Sequence, residues 1–197
     1  MSTATLAPAT ESMNGALPEH YEVIDGRIVE LPPMGALEMN LSNLLSTYIA
    51  LSFASTWPGQ AFVEMLFELS ARPRLWRRPD VAFVPYTRFP NRIVPFGEAW
   101  AVIPALAVEI VSKSNTASEI RGKIDDYFRH GVDLVWVVYP EQRKVDVWTS
   151  AKATTSLEET DTLDGGMVLP NFRLPLSVLF AVVPVVPRPE EEATDIA

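Results

Sequence analysis

The sequence predicts a mixed α/β domain in which helices cover one central sheet, and three observations carry that expectation. Leu37, Leu41, Leu44, Leu45, Tyr48 and Phe53 recur at the spacing of a single helical stripe, which needs a sheet to cover. Two continuous apolar, β-branched runs, Ala105 to Ser112 and Leu134 to Tyr139, have the length and composition of buried strands. Between them lies a second helical pattern with its own start and stop signals.

Residues 1–18 are rich in Ala, Ser, Thr and Pro without periodicity, and are expected to form a mobile leader. Tyr21-Glu22-Val23-Ile24 and Arg27-Ile28-Val29-Glu30-Leu31 flank Asp25-Gly26, a hairpin signal because both turn positions need a positive φ. Pro32-Pro33 ends the second strand. The first helix follows, from Leu37 to near Ser55, and Ala61 to Leu69 supplies the next strand. Arg72, Arg74, Arg77, Arg78, Arg88 and Arg92 then face the single acid Asp80, a basic stretch that reads either as a phosphate contact or as a solvated loop. Asp80 to Pro85 and Leu106 to Ser112 are strands. Thr116 and Glu119 have capping-box spacing for a helix with Ile120, Ile124, Tyr127 and Phe128 on its apolar face, which Gly131 terminates. Leu134 to Tyr139 and Lys144 to Thr149 are strands, Thr154 to Gly166 an exposed loop or weak hairpin, and Leu174 to Phe180 a short closing helix. One domain over residues 19–182 and a mobile, Pro-rich acidic tail over 183–197 complete the organisation.

Composition narrows the chemistry. The absence of cysteine excludes disulfides, thiolate metal sites and cysteine nucleophiles, and His20 and His130 match no zinc motif. Met1 to Ala16 has neither the basic region nor the apolar stretch of a signal peptide, and no apolar run reaches the roughly 20 residues a spanning helix needs. A cytoplasmic location without a membrane partner is therefore expected. The net charge of −9 argues against nucleic acid, but residues 1–20 carry −2 and residues 188–197 carry −3, which leaves −4 on the body. A bound divalent cation would offset a carboxylate cluster there.

Glu109 is the residue out of place. An ionised carboxylate inside an apolar strand is costly to desolvate unless a cation, a metal ion or several hydrogen bonds compensate it. Asp80 opens the preceding strand after Arg78-Pro79, and if the two strands are neighbours the carboxylates converge. Two such oxygens and a backbone carbonyl, here that of Ile110, suit magnesium or manganese. On the following helix Lys123 falls beside Tyr127 at the edge of the buried stripe and leans towards the sheet. Lys113 is a rival: if the strand continues, it shares the face of Glu109.

Taken in order, Tyr21–Gly26, Arg78–Val84, Val108–Thr116, Lys123–Tyr127 and Gly131–Val138 resemble the Uma-type restriction endonuclease family. The likeness runs from about Tyr21 to Phe180. It implies a restriction-endonuclease-like fold of the PD-(D/E)xK type, with a metal-dependent phosphodiesterase site at one end of the sheet and DNA as substrate. It further implies Asp80 and Glu109 as the metal-binding acids, Glu22 as an acid on the opening strand, and Lys123 as the site lysine. Lys123 with Tyr127 is also similar to the Gln-x-x-x-Tyr motif of RecB-type nucleases. Two positions depart from the pattern: Val111 stands where the superfamily has its lysine, and Glu38 where a histidine would start the first long helix.

Structural alternatives stand beside these roles. Glu109 could be a buried ion pair with Lys123 or an arginine, Asp80 a turn cap after Pro79, and Tyr127 core. Trp136 and Trp148 read as core or interface aromatics, and the Leu134–Tyr139 strand is a candidate for a homodimer contact. Alternatives to an endonuclease are a non-catalytic module of the same fold that binds nucleic acid or a protein partner, and a small-molecule phosphodiesterase.

Overall fold

A computed structural model describes residues 7–8, 17–53 and 58–184. The strands are β1 (Ala7–Pro8), β2 (Tyr21–Ile24), β3 (Arg27–Glu30), β4 (Gly59–Val63), β5 (Phe67–Ala71), β6 (Arg74–Arg77), β7 (Val81–Pro85), β8 (Leu106–Ile110), β9 (Leu134–Tyr139), β10 (Lys144–Ser150), β11 (Ala153–Glu158), β12 (Thr162–Asp164) and β13 (Arg173–Pro175). Helices α1 (Ala36–Ser52), α2 (Ala117–Arg129) and α3 (Leu176–Leu179) intervene, and a 3₁₀ turn (Phe180–Val182) follows α3. The leader expected over residues 1–18 lies outside the described residues except for β1 and residues 17–18, and so does the tail from residue 185.

The main sheet runs β11-β10-β9-β8-β7-β4, and its one parallel pair is β8 with β9. That pair needs a crossover, and α2 supplies it. Alternation along β8 assigns the two faces. Leu106, Val108 and Ile110 pack with Leu41, Leu45 and Ile49 of α1, together with Trp136 and Phe172. On the other face Ala107, with Val135 and Val137 of β9, packs against Ile120, Ile124 and Tyr127 of α2. Glu109 belongs to this second face and is 3% exposed.

A second sheet, β1-β3-β2-β6-β5, takes in the expected β2–β3 hairpin, and its β6 lies within the basic stretch, where no strand was expected. Phe67, Leu69 and Leu75 anchor it in the same core as α2, through Trp100 and Phe62. The Asp25-Gly26 hairpin has the expected positive φ at both turn positions, 51° and 76°. The apolar run from Ala61 to Leu69 is two strands in two different sheets. Glu64 breaks it with a φ of 55°, and its N–H donates to the Asp80 carbonyl at 3.2 Å. Residues 154–166 are likewise more ordered than expected: β11 pairs with β10 along its length, and β12 pairs with β13 to bury Leu163 and Leu174. Helix α1 ends at Ser52, and the expected end near Ser55 falls outside the described residues. Strand β9 has both edges paired, to β8 and β10, and five of its six residues buried, so it offers no free edge to a second copy. Trp136 is fully buried core, and Trp148 packs under Arg121.

Candidate active site

Helix α2 delivers its side chains to Glu109 because both of its ends are fixed. Thr116 and Glu119 form the reciprocal capping box. At the other end Gly131, with φ 93°, lets its N–H donate to Phe128 and that of Val132 to Tyr127, which closes a Schellman motif. Lys123 and Tyr127 lie one turn apart on the face towards β8. The Lys123 ammonium donates to Glu109 Oε2 at 2.7 Å, and the Tyr127 hydroxyl donates to Glu109 Oε1 at 2.5 Å. Burial raises the Glu109 carboxyl above its ordinary value, and the Lys123 charge opposes that rise. Burial alone would lower the Lys123 ammonium, but Glu109, Glu22 and Asp80 together raise it.

Asp80 stands immediately before β7, whose antiparallel pairing with β8 sets it beside Glu109. Its Oδ2 accepts the Ile110 N–H in a short hydrogen bond. The N–H and C=O of one residue in an extended strand leave on the same edge. Val111 donates to Val138 on the opposite edge, so the Ile110 carbonyl shares the Asp80 side of β8. Burial and the Glu109 charge push the Asp80 carboxyl well above the usual carboxylate range.

The second sheet contributes Glu22, 1% exposed on β2. Its Oε1 lies 3.4 Å from the Lys123 ammonium and accepts the Arg78 N–H at 3.0 Å, while its Oε2 accepts from Arg77 Nη1 at 2.6 Å. Burial would raise this carboxyl, yet Lys123, Arg77 and the Arg78 N–H together hold it below its ordinary value. Arg77 also donates through Nη2 and Nε to Asp126 Oδ2, at 2.5 and 3.1 Å. At the rim, burial raises the Glu64 carboxyl, and its strongest opposing charge is Arg78.

The structure thus gathers Glu22, Asp80, Glu109, Ile110, Lys123 and Tyr127. It does not gather Lys113, whose strand ends at Ile110; that side chain is 88% exposed and pairs with Glu141 at 3.3 Å. Val111 packs at the border of the α2-side core, and Glu38 lies in the first turn of α1, the helix that covers the opposite face. The sequence placed Arg77 only in the basic stretch, and assigned no role to Asp126 or Glu64. Two signals were present: Glu64 is an acid in an apolar run, as Glu109 is, and Asp126 follows Lys123 by three residues, on the same helix face.

The donor set fits a divalent cation. Glu22, Glu109 and Asp126 share two buried cations, Arg77 and Lys123, with Arg129 on the outer oxygen of Asp126 at 3.0 Å, whereas Asp80 enters no ion pair among the described residues. Among the described residues no group of three or more His, Cys, Asp or Glu side chains could hold a metal. Two carboxylates with a backbone carbonyl and water match magnesium, which retains several waters, rather than an ion that needs a full side-chain cage.

A crystal structure of a "putative nuclease belonging to DUF820" from Anabaena variabilis superimposes with a TM-score of 0.72 at 18% identity, covering 82% of this chain and 89% of that one. The fold is therefore restriction-endonuclease-like, as the resemblance implied. No curated protein matches the chain. No described helix is long and apolar enough to cross a membrane. The sequence model of the Uma2 family, described as "Putative restriction endonuclease", matches residues 13–177, and the chain belongs to that family.

Proposed function

We propose that the protein is a divalent-metal-dependent endonuclease that hydrolyses phosphodiester bonds of DNA. The observation that supports this best is that Asp80, just before β7, and Glu109, on β8, are both raised by burial, while Lys123 pairs with Glu109 and Glu22 and leaves Asp80 without an ion-pair partner among the described residues. Asp80, Glu109 and the Ile110 carbonyl would hold magnesium or manganese. The ion, when bound, lowers the pKa of a coordinated water and neutralises charge on the phosphoryl oxygens.

The chain's own residues do the rest. Lys123 is a fixed cation at the rim of the site, 13% exposed, and suited to stabilise negative charge that develops on the substrate. Glu22 restrains that ammonium from the side of the second sheet, and Tyr127 fixes Glu109 in one orientation. A cytoplasmic enzyme that acts on DNA is consistent with this reading.

A second reading has one observation in its favour. Both oxygens of Glu109 are already engaged, by Lys123 and Tyr127, as in a purely structural ion pair. That arrangement suits a non-catalytic module that keeps the fold to bind nucleic acid or a protein.

Plasmid cleavage with magnesium or manganese separates the two. The wild type should nick or linearise plasmid, and Glu109→Ala and Lys123→Ala should each fall by about 10²-fold or more. Equal residual activity in all three proteins would refute the endonuclease reading. Stabilisation by manganese that Asp80→Ala abolishes, without cleavage, would favour the binding module.

A further inference from the structure

We infer that Arg77 is a positioning residue for Lys123: clamped between Glu22 and Asp126, it fixes where the ammonium stands between Glu22 and Glu109. The inference rests on the proposed role of Lys123 and adds the device that holds it.

Arg77 touches none of the groups that would meet substrate. Its side chain is 7% exposed on β6, in the sheet that does not carry Glu109. One arm of the guanidinium donates to Glu22 on β2 and the other, with Nε, to Asp126 on α2. Asp126 is three residues from Lys123, on the same helix face. The planar guanidinium thus ties together the strand that bears one partner of Lys123 and the helix that bears Lys123 itself. A planar, bidentate cation does this at a fixed spacing, whereas a lysine at position 77 would supply charge without the fork.

The second carboxylate contact of the ammonium depends on this tie. Glu22 presents Oε1 to Lys123 at 3.4 Å because Oε2 is held by Arg77 at 2.6 Å and Oε1 by the Arg78 N–H at 3.0 Å. With the fork gone, Glu22 Oε2 loses its partner and the carboxylate is held only by the Arg78 N–H and the 3.4 Å contact with Lys123. Lys123 is then held at one end only, by Glu109 at 2.7 Å, and swings about that contact away from the position from which it reaches substrate charge.

The test uses the full chain in Arg77→Lys and Asp126→Asn, with Lys113→Ala as the exposed control. The primary readout is the proton–nitrogen correlation of the Lys123 ammonium without added metal, assigned by its loss in Lys123→Met. In the wild type the ammonium should give a slowly exchanging signal. Arg77→Lys and Asp126→Asn should shift or broaden it, and Lys113→Ala should leave it in place. With manganese and plasmid, the same two variants should lose about 10²-fold in kcat with KM within about twofold.

A Lys123 signal unchanged in both variants overturns the inference whatever the cleavage assay shows, and so does the absence of that signal in the wild type. A signal that moves while no protein cleaves plasmid supports the positioning role and refutes the endonuclease reading, so the two fail separately. If Arg77→Lys does not fold, Asp126→Asn decides, because it removes a charge at nearly constant shape.

Discussion

Replacing Lys123 with methionine tests the electrostatics of the site without reference to activity. The ammonium lies 2.7 Å from Glu109 Oε2 and 3.4 Å from Glu22 Oε1. At an effective dielectric of about 20, the two contacts are worth roughly 6 and 5 kcal/mol before desolvation. The ammonium itself costs several kcal/mol to bury, so the net loss on deletion is about 3–5 kcal/mol, mostly the cost of carboxylates left without a cation. Glu109 already sits above its ordinary value through burial. Without Lys123 it rises further, and the folded state then binds a proton that the unfolded chain releases. Stability of the variant therefore falls as pH rises from the ordinary carboxylate range through the raised folded value. Urea denaturation at pH 5 and pH 8 should show a deficit of about 3–5 kcal/mol at pH 8 and a smaller one at pH 5. Manganese at about 100 times its dissociation constant should restore roughly 2.7 kcal/mol at pH 8. A deficit below about 1 kcal/mol at pH 8, or one that does not shrink at pH 5, would refute this account of the buried charges.

Glu22→Gln should also show a deficit that closes in acid, for a different reason. Glu22 is held below its ordinary value against the pull of burial, so its stabilisation is complete above the unfolded pKa and vanishes as pH falls through the folded one. A urea series should find the variant about 3 kcal/mol less stable at neutral pH and the gap closing in acid. Tyr127→Phe removes one hydrogen bond to Glu109 at nearly constant volume, and should lower stability by about 1.5–3 kcal/mol in the same assay, with a native near-ultraviolet circular dichroism spectrum. Thr116→Ala deletes half of the capping box at the start of α2 and should cost about 1 kcal/mol by urea denaturation.

Much of the site was legible because its signals are local. Glu109 declares itself as a charge inside an apolar strand, and Thr116 with Glu119 fixes the phase of α2, which puts Lys123 and Tyr127 on the buried edge. The main sheet was readable for the same reason, since β8 and β9 are continuous apolar runs. Of the second sheet only the β2–β3 hairpin was. Its strands β5 and β6 are short, and β6 is Arg-Leu-Trp-Arg, a composition that reads as solvated until β2 pairs with it from across the chain. The break at Glu64 was hidden because apolar residues flank it on both sides, and its left-handed conformation is supported from elsewhere in the chain, by the Asp80 carbonyl that accepts its N–H and the Arg78 guanidinium that donates to its carbonyl. Arg77 was lost with its strand. A buried arginine is recognisable only by its partners, and Glu22 and Asp126 lie far from it in sequence.

The alternation along β8 has a consequence for how the chain avoids misfolding. A slip of one residue against β7 and β9 would turn Glu109 into the apolar layer under α1 and drive Ile110 into the carboxylate cluster. Purely apolar strands tolerate such slips, because one branched side chain substitutes for another at little cost. Here every slip by an odd number of residues strands a charge in the apolar layer and deprives Lys123 of its nearest counterion. The acid in the strand therefore acts as a proofreading mark for strand pairing, and a chain that has aligned its central sheet correctly has, by the same event, assembled the cluster.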